Sequence, residues 1–195
     1  MKTVYFITSN KGKFLEAKKK FSESEINIIK KDLGYPEIQA ESLEEVANFG
    51  IEYIQKRFDK SFFLEDAGLF IDGFNGFPGV YSAYIFHKIG CSGIIKLMEG
   101  LEENNRKAHF KSVIGFKEPN SKPELFIGEV YGTISKKPLG KYGFGYDPIF
   151  IPDGEEKTFA QMDTVEKNQF SHRGKSLNKL LDFFKNGKIE TFKSL

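Results

Sequence analysis

Tryptophan is missing from this chain, cysteine occurs once, and arginine occurs only as Arg57, Arg106 and Arg173. A single cysteine leaves no intramolecular disulfide framework and no cysteine-rich zinc site, and it suits a reducing, cytoplasmic compartment. No apolar run approaches the ~18 residues of a membrane span, so no membrane partner is expected. Strong net charge is missing too. The 29 Lys+Arg and 27 Asp+Glu leave +2, too balanced for an obligate polyanion binder, and no nucleic-acid partner is expected. The patterns H-x-x-x-H, HExxH, G-x-S-x-G and Cys–His do not occur, which leaves zinc hydrolysis and acyl-enzyme chemistry without support. Without tryptophan, any stacking surface falls to the 21 Phe and 8 Tyr.

What is present reads as an ordinary globular chain. It has 195 residues, 39% of them hydrophobic, and 19 glycines, which suits one domain or two packed lobes. Val4 to Thr8 reads as a first, buried strand and not as a signal peptide. The turn Ser9-Asn10-Lys11-Gly12 leads into a helix over 13–21, with Phe14, Ala17 and Phe21 at helical spacing. Residues 26–30 read as a second strand. Ser42 with Glu45 forms a capping-box pattern ahead of a helix ending near Asp59. Residues 62–64 read as a short buried strand, and 69–71 continue extended. Residues 73–79 read as a loop, and 93–99 as a helix. Residues 109–116 and 124–134 read as a long hairpin, and 140–148 as a Gly-rich, aromatic loop. Ser171 opens a last helix with Leu177, Leu180, Leu181 and Phe184 on one face, and Gly187 is read as its stop. The expected fold is α/β: a long, twisted, mixed sheet with helices packed on it, in two lobes around a central cleft.

Four constellations suit chemistry. Thr8-Ser9-Asn10-Lys11-Gly12-Lys13 lies where a strand gives way to a helix. Free N–H groups there favour phosphate, with Asn10 to orient an oxygen and Lys13 to neutralise one; a plain helix cap with surface lysines is the other reading. Glu65-Asp66-Ala67-Gly68 follows a buried strand. One or two carboxylates with substrate phosphates suffice for magnesium, and Glu37 is available to join them; a solvated turn is the alternative. In Gly143-Phe144-Gly145-Tyr146-Asp147-Pro148, an extended backbone puts Phe144 and Tyr146 on one face to hold a flat base, with Asp147 as acceptor for a base N–H; a hydrophobic turn is the alternative. Ser171 fits an N-cap, with His172 and Arg173 as donors toward an anion or carbonyl and Lys167 just upstream; capping plus a surface charge pair is the alternative.

Taken in order, these segments give the chain a family resemblance. It resembles the inosine triphosphate pyrophosphatase family through T-S-N-K-G-K at 8–13, L-G-Y-P-E-I-Q at 33–39, L-E-D-A-G-L at 64–69, G-F-P-G-V-Y-S-A at 76–83, G-F-G-Y-D-P at 143–148 and E-K-N-Q-F-S-H-R-G-K at 166–175. The resemblance implies a single two-lobed domain over 1–195, a homodimer, and a Mg²⁺ requirement. It also implies hydrolysis of ITP, dITP or XTP to the monophosphate and pyrophosphate, which removes them from the nucleotide pool. It makes Glu37 and Asp66 the metal-site acids, with Asp66 also catalytic. Thr8, Ser9, Asn10 and Lys13 become triphosphate-side residues, and Phe144 and Tyr146 the base sandwich. Asp147, Ser171, His172 and Arg173 become readers of the base edge, and Lys167 a substrate-binding lysine. A phosphate lysine that family members often carry has no counterpart in Val46–Ile51; Lys56 is the nearest, and Lys88 is a possible substitute.

Overall fold

The computed structural model describes residues 2–192. The chain runs β1 (Lys2–Ile7), α1 (Lys11–Phe21), β2 (Ile26–Lys31), α2 (Leu43–Gln55), β3 (Phe62–Ile71), α3 (Ser82–Leu97), β4 (Lys107–Lys117), β5 (Glu124–Ile134), β6 (Phe150–Pro152), α4 (Thr164–Phe170) and α5 (His172–Phe192). One sheet takes the order β2-β1-β3-β4-β5-β6. β1 is parallel to β2 and β3, and the later neighbours pair antiparallel. The mixed α/β fold is thus as expected.

Alternation along β3 divides the molecule, because successive side chains point to opposite faces. Phe63 joins Val4, Phe6, Ala17, Phe21, Leu177 and Leu180 under α1 and α5. Further along that face, Leu69 and Ile71 join Phe110, Ile149, Phe150 and Phe159. Phe62 and Leu64 point the other way, into Ala47, Ile51 and Ile54 of α2. β1 pairs with β3 only as far as Ile7 and Leu64, so β3 runs on from Glu65 with one edge unpaired by β1. After β1 the chain turns to one face as α1, and after β2 to the other as α2. Ligands of open α/β sheets gather where successive connections diverge beyond the strands' carboxyl ends.

Local chemistry explains the helix starts. Asn10 accepts the Lys13 N–H at 3.0 Å, and Ser42 accepts the Glu45 N–H at 3.2 Å. The box at Ser42 closes only one way, since Glu45 reaches the Glu41 N–H instead. Three expectations are corrected. Residues 62–71 form one strand because β4 pairs along its whole length. The third helix starts at Ser82, well before 93, and bends at Gly90. α5 passes through Gly187 to Phe192. α4 and β6 were unforeseen, although Asp163 capping the Val165 and Glu166 N–H groups is a readable start signal.

Candidate functional site

A cleft of about 310 Å³ opens beside the unpaired edge of β3. Asn10 and Lys13 line it from the start of α1, and Ala67 from β3. Ser82, Ala83, Phe86 and His87 line it from α3, and Phe110 from β4. Phe144 to Asp147 line it from a loop, and His172 and Arg173 from the start of α5. Residues far apart in sequence therefore converge there, while Glu37 and Asp66 are not among the lining. Thr8 and Ser9 stand in the turn behind Asn10; Thr8 Oγ1 accepts the Asn10 N–H, and the Ser9 carbonyl accepts from Lys30.

Buried charge organises the cleft wall. Arg173 Nε donates to Glu65 Oε1 at 3.1 Å, and Nη1 to Glu16 Oε2 at 2.6 Å. Lys167 donates to Glu16 Oε1 at 2.8 Å and to Asp147 Oδ2 at 2.7 Å. Lys13 pairs with Glu65 Oε2 at 2.8 Å and also donates to the Glu65 carbonyl, on the edge that β1 leaves free. Ser112 donates to Glu65 Oε1. Three cations thus face three carboxylates, and the cluster is internally neutral.

This hub was not legible in advance. Glu65 belongs to it instead of sharing a metal with Asp66: the two side chains leave β3 on opposite faces. Glu16 was missed altogether. Its one sequence signal is that it is the only acid of α1 and lies one turn after Lys13. Lys167 and Ser171 sit behind the cleft lining. Lys167 is locked between Glu16 and Asp147, and Ser171 caps α5 by accepting the Gly174 N–H at 3.0 Å.

Burial opposes charge on Glu65, but Arg173 and Lys13 outweigh it and hold the carboxyl far below its usual range. Glu16 is likewise lowered against its burial by Arg173 and Lys167. Folded-state values below the unfolded ones mean stability that is present above the ordinary carboxylate pKa of about 4.3 and lost as pH falls through the lowered values. Thermal midpoints measured from pH 7 to pH 3 are expected to drop below about pH 4.5 as Glu65 and Glu16 lose this contribution, while Asp147, raised by burial, works in the opposite sense. A midpoint unchanged at pH 3 would contradict an ionised hub.

The aromatic loop differs from its expected shape. Gly143 and Gly145 have φ of +73° and +62°, so the segment turns instead of running extended. Asp147 Oδ2 closes the turn by accepting the Phe144 N–H at 2.8 Å. A side chain on Gly143 would collide with that carboxylate. Phe144 and Tyr146 both line the cleft, each held by its own neighbours. Tyr146 is buried, meets Phe86 edge-on at 5.2 Å, and donates to the Ser82 carbonyl. The Phe144 ring has Lys167 Nζ and Arg173 Cζ each 5.2 Å from its centroid, a cation–π arrangement. Asp147 is engaged by Lys167 and the Phe144 N–H while still lining the cleft.

His172 stacks on Phe110 at 4.6 Å and 11°. Burial, with Arg173 and Lys167 close by, pushes it well below the usual histidine range, so the ring is neutral. A neutral ring offers one donor and one acceptor, and Nδ1 is buried without a hydrogen-bond partner. His109 lies elsewhere, stacked on Phe70 at 4.9 Å.

Asp66 projects toward the α2 side, where Tyr35 donates to Oδ2 at 2.7 Å. Burial raises its carboxyl; Lys13 and Tyr35 oppose that, while Glu65 and Glu37 add to it. Glu37 is exposed on the loop after β2 and close enough to Asp66 to be felt as charge. Among the described residues no cluster of three or more His, Cys, Asp or Glu forms a cage for a metal. Two carboxylates of hard oxygen character are nonetheless a donor set that fits Mg²⁺, which keeps waters and takes further ligands from phosphates. Lys56 is exposed at the end of α2, and Lys88 Nζ lies 5.3 Å from the Tyr84 ring centroid. Neither lines the cleft.

Known proteins resemble the chain over nearly its whole length. The Ham1 family profile matches residues 4–183. The dITP/XTP pyrophosphatase of Methanopyrus kandleri is 49% identical over 183 residues, 94% of this chain and 96% of that protein. The protein of the same name from Pyrococcus horikoshii is 50% identical over 182 residues, 93% of this chain and 96% of its own. The solved structure of the Staphylococcus aureus Ham1 protein superposes with a TM-score of 0.81 at 29% identity, covering 95% of this chain and all of that one. A HAM1 protein from Coxiella burnetii gives 0.82 at 28%, with the same coverage of each chain. The six motif segments fall within the matched stretch, and the chain belongs to the Ham1 family.

Proposed function

We propose that this protein is a nucleoside triphosphate pyrophosphatase that hydrolyses ITP, dITP and XTP to the monophosphate and pyrophosphate, with Mg²⁺ as cofactor. The observation that carries this reading is one cleft lined by the rings of Phe144 and Tyr146, the polar groups of His172 and Arg173, and Asn10 and Lys13; Asp66 and Glu37 lie outside that lining, with Asp66 in electrostatic reach of Lys13. The names of the relatives point the same way.

Hypoxanthine and xanthine present a carbonyl at position 6 and an N–H at position 1, whereas adenine reverses both. Arg173 matches the carbonyl, and neutral His172 supplies a donor or an acceptor. Each mismatch leaving a buried group unpaired costs about 1–3 kcal/mol, so two give roughly 30- to 10⁴-fold discrimination. At the phosphate end, Asn10 and Lys13 meet the triphosphate. The Arg173 hub is already neutral, so an incoming polyphosphate needs further positive charge. Glu37 and Asp66 would hold Mg²⁺, which supplies charge neutralisation on phosphate oxygens and a more acidic water. Asp66 Oδ1, the oxygen that Tyr35 does not engage, takes the proton of the water directed at the α-phosphorus.

Steady-state kcat/KM for ITP, XTP, GTP and ATP tests this. ITP and XTP are expected to exceed ATP by at least about 30-fold; equal use of ATP would contradict it. Because His172 is neutral, the ITP/ATP ratio is expected to stay constant between pH 6 and pH 9. A ratio that collapses as pH rises through about 6.5 would instead make the imidazolium the reader. The same reading makes the protein a cytoplasmic homodimer built as one two-lobed domain, and the exposed Phe77, Tyr81 and Tyr84 supply an apolar surface for a second copy. Light scattering after size exclusion reads that state.

A further inference from the structure

Two side chains tie the segment between β2 and α2 to the rest of the fold. Arg57, 4.2 Å above the Tyr53 ring, donates to the carbonyls of Leu33, at 3.0 Å, and Gly34. Tyr35 then lays its ring across α2. A Cβ built on Gly50 would lie 3.1 Å from Tyr35 Cζ and 2.8 Å from Leu64 Cδ2. Gly50, in the lysine-free stretch Val46–Ile51, is therefore what leaves room for the ring. From that seat the phenol reaches Asp66 Oδ2 at 2.7 Å, the length of a charge-assisted O–H···O bond.

We propose that Tyr35 is a positioning residue for the reaction. A carboxylate on a strand has side-chain torsions to settle, and a donor fixed by ring packing settles them. Holding Oδ2 leaves Oδ1 as the oxygen available for chemistry. The same contact anchors the loop that carries Glu37, bringing a second acid into electrostatic range of Asp66. Tyr35 need not touch substrate; it acts through Asp66 and through the placement of Glu37. This role rests on the reading above that Asp66 belongs to the catalytic site.

Tyr35→Phe is the direct variant, because phenylalanine keeps the ring on Gly50 and Leu64 and removes only the donor. Wild type, Y35F and Asp66→Asn are compared for kcat and KM with ITP. Mn²⁺ affinity is measured separately, by water-proton relaxation without nucleotide. Y35F is expected to lower kcat about tenfold with KM within about twofold, and to weaken Mn²⁺ several-fold, the scale of one hydrogen bond to a charged group. Y35F equal to wild type in both readouts, while D66N loses both, would reduce Tyr35 to packing and overturn the proposal. D66N retaining full turnover would instead remove Asp66 from the site, and Tyr35's role would fall with it.

Discussion

Replacing Asp66 with asparagine is expected to lower kcat for ITP by about 10²–10⁴-fold, the usual contribution of a positioned acid–base group. Asparagine has nearly the same shape, and its carbonyl oxygen still accepts from Tyr35. The change therefore removes charge and proton affinity while preserving the local packing. The expectation rests on the surroundings of Asp66, which pull in opposite directions. Burial, Glu65 and Glu37 raise its carboxyl, while Lys13 and the Tyr35 phenol lower it, and the balance is upward. A carboxylate raised in this way is a better proton acceptor than an exposed one. Steady-state kinetics at saturating Mg²⁺ decide the point; turnover within about threefold of wild type would exclude an essential role for Asp66, since 10² is the low end of that contribution.

The second large effect is expected at Arg173. Its guanidinium satisfies Glu16 on one side and Glu65 on the other, and all three are buried. Arg173→Ala strands two carboxylates at once. Removing one partner of a buried pair typically costs about 3–5 kcal/mol, and urea unfolding is expected to show a loss of that order. The ITP/ATP preference is expected to fall in the same variant by about 5- to 150-fold, the value of one unpaired polar group. Lysine is not an equivalent replacement, since a point ammonium cannot bridge both carboxylates as a planar fork does. Adding Glu16→Gln to the Arg173→Ala background is expected to recover part of the stability, because one stranded charge is gone. Unchanged stability together with unchanged ITP kinetics would take Arg173 out of both the hub and the site.

The two variants also mark where sequence reading reached and where it stopped. Local patterns were legible. Asn10 and Ser42 announce helices by their caps, Phe14, Ala17 and Phe21 announce a buried face, and Glu124–Ile134 reads directly as a strand. Asn10, Lys13, Phe144, Tyr146, Asp147, His172 and Arg173 were legible as one site because their motifs occur together in order, and the structure brings them to one cleft. Pairings between distant segments were not legible. Arg173 meets Glu16 from more than a hundred residues away in the chain, and no periodicity encodes such a contact. For the same reason Glu65 read as a partner of Asp66, when strand alternation turns it to the opposite face. The shape of the aromatic loop was missed because Gly143 and Gly145 take positive φ, which the residue type permits but does not dictate. Tyr35 stands in the segment 33–39 that carries the resemblance, but no role for it was legible, because its importance lies in the room that Gly50 leaves and in the reach of its phenol to Asp66.

In the proposed reaction, water attacks the α-phosphorus of a purine triphosphate held in this cleft. Following ITP and Mg²⁺ with the purified protein by ³¹P NMR tests it directly. Inosine monophosphate and pyrophosphate are expected as the first products, with no diphosphate at any time. Inosine diphosphate and orthophosphate would show cleavage at the γ-phosphate and contradict the placement of Asp66 and the phosphate end of the site.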